Sequence, residues 1–253
     1  MIELREVTLG YGEQVLLRVD ELTLPRGRIT AVIGRNGCGK STLLRALVGV
    51  LPYGGSIRLD GDELRSLSHR ERARRVAYLP QTLSTPAMSV HTLVGHGRFA
   101  RLGPLQSLSR ADRSAIQQAM ELTDVWELRH ALVRDLSGGE RQRAYLAMAI
   151  AQDTPMLLLD EPGAHLDVSH RLEAARIMRQ LANEGRGVVV TSHDLPEAFS
   201  GCDDICIVNH ATIVAQGTVD SIAADEALLR DAMGVCVRRV EGEDLVHPYS
   251  LSY

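Results

Sequence analysis

The stretch ITAVIGRNGCGKSTLLRALV, residues 29–48, constrains the fold more than any other part of the chain. Its unbroken apolar start, ITAVI, reads as a strand buried on both faces. Leu43, Leu44, Leu47 and Val48 then recur at helical spacing. Between strand and helix, Gly34, Gly39, Lys40 and Ser41 stand at the fixed places of G-x-x-x-x-G-K-[ST]. Strand, glycine loop and helix in that order predict a phosphate-binding loop on an open α/β sheet. Backbone N–H groups at Gly34, Asn36, Gly37, Cys38 and Gly39 are expected to face phosphate oxygens, and Thr42 is expected to take part in nucleotide binding. Lys40 is expected to reach the β/γ-phosphates and Ser41 to bind Mg²⁺.

Such a loop needs a carboxylate for the metal. MLLLDEP, residues 156–162, places Asp160 at the end of a short buried strand, where ligands of open α/β sheets bind. Magnesium takes oxygen ligands, so Asp160 suits the metal or a metal-bound water. Glu161, one residue on, suits orienting and polarising an attacking water. A third buried strand, in GVVVTSHD at 187–194, ends just before His193, which in that place suits a contact to the γ-phosphate. YLPQ, 78–81, ends in Gln81, whose amide suits metal or water; an ordinary strand exit after Pro80 is the alternative.

A second glycine-rich stretch, DLSGGERQR at 135–143, opens a run of strong helix formers. Ser137 alone suffices to cap that helix. Gly138 and Gly139 cost backbone entropy, and their use is to let a ligand approach bare N–H groups at a helix N-terminus. LSGGERQR, the glycine loop, LLLDEP, Gln81 and His193 occur in the order found in ABC-type ATPase subunits, and the resemblance covers almost the whole chain. It implies that Tyr11, in GYGEQ, stacks on adenine, and that Ser137, Gly138 and Gly139 serve ATP. It also implies that Asp167, in GAHLD, lies in a loop at the interface of two subunits.

RRVAYLPQ, SVHTLVGHGR and AMAIAQDTPMLLLDEP further resemble the ATPases of iron–siderophore, haem and cobalamin importers. The family usually has Thr where Gly163 stands and often Pro at Arg35, and Ala164 and His165 are also unusual. The implied fold is α/β: a P-loop NTPase (RecA-like) core with an N-terminal antiparallel β subdomain and an inserted α-helical subdomain. Residues 1–82 and 146–253 are expected to form the ATP-binding core, and 83–145 the helical subdomain ending in LSGGE. SRAD, 109–112, reads as a capping-box start for a helix, and ICIV-NHAT-IVAQG as a hairpin. Arg98 and Arg101 are expected on the surface, facing a permease.

Composition sets the remaining limits. With 253 residues, 45% hydrophobic, the chain can bury a large core. A net charge of −4 argues against nucleic acid as a partner. No apolar run approaches 18 residues, the start is no signal peptide, and four cysteines make no disulfide framework. The implied function is an ATPase that energises an importer from the cytoplasmic face of the membrane. It would be held there by a permease and dimerise on ATP, with a substrate-binding protein on the far side. A soluble ATPase of iron–sulfur cluster assembly and a nucleotide-gated interaction module remain as alternatives.

Overall fold

The computed structural model describes residues 1–11, 14–103, 106–163, 166–239 and 249–252, with the backbone alone at Tyr11 and from 236 onward. In chain order the strands and α-helices are β1 (Ile2–Tyr11), β2 (Gln14–Leu24), β3 (Ile29–Gly34), α1 (Lys40–Leu47), β4 (Tyr53–Leu59), β5 (Asp62–Glu63), α2 (His69–Arg75), β6 (Val76–Leu79), α3 (Val90–His96), α4 (Arg110–Leu122) and α5 (Gly138–Ala151). There follow β7 (Met156–Asp160), α6 (Val168–Asn183), β8 (Gly187–Ser192), α7 (Leu195–Gly201), β9 (Asp204–Asn209), β10 (Thr212–Thr218), α8 (Val219–Ala223), α9 (Glu226–Met233), β11 (Cys236–Arg239) and β12 (Tyr249–Ser252).

Ten strands form one mixed sheet, ordered β5-β4-β1-β2-β10-β9-β3-β8-β7-β6. The block β9-β3-β8-β7-β6 is parallel and β5-β4-β1-β2 is antiparallel. The expected hairpin is β9–β10, turning through His210 and Ala211, both at positive φ. It joins the two blocks: β10 meets β2 through the pair Thr212–Arg18. Among the described residues, no helix is long and apolar enough to cross a membrane.

Two apolar cores lie on opposite faces of the parallel block. Ile29, Ala31 and Ile33 of β3 point into one with α3 to α7, while Val32 points into the other with Leu43, Leu44 and Leu47 of α1. This is the period-2 alternation of a strand buried on both faces. It decides where polar strand residues go. On β7, Leu157 and Leu159 face the first core, so Asp160 shares the α1 face with Leu158. On β8, Val188 and Val190 face the first core, so Thr191 shares the α1 face with Val189.

The helical part packs α3 and α4 against α5. The expected capping box on α4 is present: Ser109 accepts from the Asp112 N–H, and the Asp112 carboxylate accepts from the Ser109 N–H. Helix α5 is buried on several sides, and small residues such as Ala144, Ala147, Ala149 and Ala151 let its neighbours approach.

The expectation of an exposed Arg98 is wrong. Arg98 is 7% exposed, its Nε donates to Asp112 Oδ1 at 2.9 Å, and its Nη1 donates to the Ala151 carbonyl at 2.8 Å. The cause is Gly97: a Cβ there would fall 2.4 Å from the Met148 carbonyl, so only glycine lets the end of α3 lie this close to α5. Arg101 is exposed, but it bonds the Gln152 and Asp153 carbonyls, and its guanidinium pairs with Asp153 at 3.1 Å. Asp153 also pairs with Arg186, and Gln152 donates to the Ala73 and Val76 carbonyls. The HGR and AQD stretches therefore form a clamp that ties the helical part to the strand ends of the sheet.

Candidate functional site

Parallel pairing aligns the carboxyl ends of β3, β7 and β8. Ile33 pairs with Ser192, and Asp160 pairs with Thr191. The loop after β3, Asp160–Glu161 after β7 and His193 after β8 are thereby brought to one edge. There a cavity of about 310 Å³ is lined by Leu16, Asn36, Gly37, Gly39, Lys40, Ser41, Thr42, Gln81, Glu161 and His193.

The loop is shaped by close approach and by positive φ. A Cβ on Gly34 would sit 2.3 Å from the Val208 carbonyl and 2.7 Å from Cys38 Sγ, so that position admits no side chain. Cys38 is turned toward the α1-side core and does not line the cavity. Gly39, at φ 108°, is the N-cap of α1 and turns the loop into the helix. Lys40 is 6% exposed, and its ammonium donates to the Gly34 and Arg35 carbonyls at 2.8 and 3.2 Å. A positive charge is thus held against the loop, beside the N-terminus of α1, where anions are favoured.

Below the loop, Asp160 is 1% exposed. Its Oδ1 accepts from Ser41 Oγ at 3.0 Å and from Thr191 Oγ1 at 2.7 Å. Tyr78 donates to Oδ2 at 3.3 Å. Burial, first, and the neighbouring Asp160 charge push the Tyr78 phenol up to about 12, so it stays a donor. The hydroxyl and carboxylate of Ser41 and Asp160 are an oxygen-only donor pair at the mouth of a phosphate loop, which fits Mg²⁺.

The three residues expected at the reacting end converge on one oxygen. Glu161 Oε2 accepts from Gln81 Nε2 at 2.9 Å, and His193 Nδ1 lies 3.5 Å from it. The Gln81 amide is thus bonded to Glu161 and not to the Ser41–Asp160 pair. Glu161 itself has φ 50°, and its backbone N–H donates to Thr191 Oγ1 at 2.8 Å. Thr191 and Tyr78 are absent from the residues singled out by sequence. The available signal was a hydroxyl on each of two apolar runs, Thr191 at the end of GVVVT and Tyr78 within VAYL.

A family model described as ABC transporter matches residues 17–164. The chain belongs to the ABC transporter family. It is 40% identical over 233 residues to the petrobactin import ATP-binding protein of Bacillus anthracis, covering 91% of this chain and 85% of that one. It is 39% identical to the hemin import ATP-binding protein of Pseudomonas entomophila, covering 90% and 91%. Among solved structures, an ATP binding subunit of an ABC transporter superposes with a TM-score of 0.79 at 24% identity, over 90% of this chain and 94% of that one. This likeness bears on the fold.

The cavity of this ABC ATPase gathers only part of what the family resemblance implies. Ser137, Gly138, Gly139 and Asp167 do not line it. Ser137 is engaged in a capping box with Glu140 at the start of α5. Among the described residues, a Cβ on Gly138 would meet nothing within 4 Å, and one on Gly139 would meet only Leu166. Gly138 therefore leaves its backbone open, and neither glycine lines the cavity of the phosphate loop. Asp167 caps α6, accepting from the His170 N–H at 2.9 Å. The Tyr11 side chain and residues 164 and 165 lie outside the described residues.

Proposed function

We propose that this ABC ATPase powers the import of an iron chelate, haem or cobalamin through a separate membrane permease. In this reading it sits peripherally at the membrane, held by that permease, and a substrate-binding protein delivers cargo on the far side. The convergence of Gln81 and His193 on Glu161 at the edge of the phosphate-loop cavity is the observation that carries the hydrolytic half. The import half rests on the petrobactin and hemin import relatives.

In the hydrolysis step, the loop amides and Lys40 hold the β- and γ-phosphates of ATP. Ser41 and Asp160 would hold Mg²⁺, which neutralises phosphate charge when bound. The Glu161 carboxylate orients water for in-line attack on the γ-phosphorus and takes up its proton. Gln81 holds the carboxylate from one side, and His193 stands where it can meet the departing phosphoryl group. The bond between the γ-phosphorus and the β–γ bridging oxygen breaks, leaving ADP and phosphate. Two copies close on ATP and part after hydrolysis, and that motion drives the permease.

Uptake of labelled ferric siderophore, haemin and cobalamin in cells lacking the chain tests the import reading. Loss of one of the three, restored by the wild-type chain and not by Glu161→Gln, is expected. Undiminished uptake of all three would remove this substrate class.

A further inference from the structure

We infer that Thr191 is a positioning residue that sets the orientation of Glu161 relative to Asp160. The inference rests on the hydrolytic reading above.

A threonine hydroxyl has one proton to donate and lone pairs to accept. At Thr191, fully buried near the end of β8, the proton is spent on Asp160 Oδ1 at 2.7 Å. The oxygen accepts the Glu161 N–H at 2.8 Å. One hydroxyl thus ties the side chain of one acid to the backbone of the next. The tie sits where the chain needs it. Ladder pairing of β7 with β8 ends at Asp160–Thr191, and Glu161 immediately adopts φ 50°, a left-handed conformation that residues with a Cβ rarely take. This reversal sends the Asp160 carboxylate toward Ser41 and the Glu161 carboxylate toward Gln81 and His193.

Satisfying Asp160 does not by itself explain the hydroxyl. Ser41 already donates to the same Oδ1, and Tyr78 donates to Oδ2. Among the described residues, the Glu161 N–H is the group that Thr191 alone holds. The same strand end continues through Ser192 to His193, so β8 positions both the backbone of the base and its histidine neighbour. A small misplacement of a group that orients a nucleophile slows the reaction steeply while leaving ground-state binding intact.

The test compares Thr191→Val, Thr191→Ala and Thr191→Ser in the full chain. Steady-state ATP hydrolysis is read together with equilibrium binding of a fluorescent ATP analogue. Val and Ala should lower kcat about tenfold or more, with KM and analogue affinity within about twofold, and Ser should recover most of kcat. If Val does not fold, the Ser–Ala pair, which differs only in the hydroxyl, decides. Wild-type kcat in Val or Ala, or a loss that Ser does not rescue, overturns the inference. Slow Glu161→Gln beside a fast Thr191→Val would overturn this inference alone. A wild-type chain without ATPase activity would overturn the hydrolytic reading with it.

Discussion

Gln81 Nε2 and Glu161 Oε2 are 2.9 Å apart, so a residue two positions past β6 holds the carboxylate that follows β7. Replacing Glu161 by Gln keeps the shape but removes the proton acceptor. ATP affinity should stay near that of the wild type while turnover falls about 10²-fold or more. Single-turnover hydrolysis with separately measured nucleotide binding checks this, and a wild-type rate would remove Glu161 from its role.

Lys40 is held by two carbonyls of its own loop, at 2.8 and 3.2 Å. A phosphate is the stronger partner for an ammonium, because the bond is charged at both ends. Lys40→Ala should therefore weaken nucleotide binding itself, by about tenfold or more. Titration with the fluorescent analogue distinguishes this from the Glu161 variant, which keeps its affinity.

The buried Arg98 is a structural clamp residue. Arg98→Glu would set two carboxylates against each other at Asp112 and leave the Ala151 carbonyl without its guanidinium. Breaking a buried pair costs about 3–5 kcal/mol. At this chain length that lowers Tm by roughly 10 °C. Thermal unfolding checks it: an unchanged Tm with lost transport would return Arg98 to a contact role.

The same pair makes a pH prediction. Hydrogen bonds from Ser109, first, and the Arg98 guanidinium pull the Asp112 carboxyl from 3.8 down to about 2. A carboxyl depressed by folding contributes stability above its ordinary pKa and loses it as pH falls toward the folded value. That contribution should disappear between about pH 4 and pH 2. Asp112→Asn should be less stable than wild type at pH 6, and the gap should narrow at pH 3. Urea unfolding at the two pH values measures both.

These residues also mark how far the sequence could be read. Gly34, Lys40, Asp160, Glu161 and His193 were legible because each follows an apolar run that must be a buried strand, and parallel strands end together. Arg98 was not. An arginine is exposed by default, and its burial depends on Gly97 letting α3 approach Met148, a contact between segments far apart in the chain. The Ser109–Asp112 capping box was legible because it is local, whereas the second Asp112 oxygen, given to Arg98, was not. Thr191 was hidden by parity: which face of β8 it occupies matters only once β7 is known to lie beside it. The joining of both sheet blocks through Thr212 and Arg18 is likewise non-local.

The last prediction concerns the two glycine-rich stretches. Gly138 has open space where a side chain would stand, and the Ser137–Gly139 turn does not line the cavity of its own phosphate loop. We expect the phosphate loop to form one half of an ATP site and the LSGGE signature to form the other half of a second. A two-fold dimer resolves this, because if the loop of one copy meets the signature of its partner, the reverse contact follows by symmetry. ATP would be held between copies and hydrolysis would release them. Mixing Lys40→Ala with Ser137→Arg tests the arrangement. In the mixed dimer one site carries both lesions, and the other pairs an intact loop with an intact signature. ATP occlusion, absent from either variant alone, should reappear at about one site per heterodimer. Occlusion is the quantity to follow, since turnover stays low if both sites must act together. Heterodimers that demonstrably form and yet occlude no ATP would mean that the signature serves its own chain.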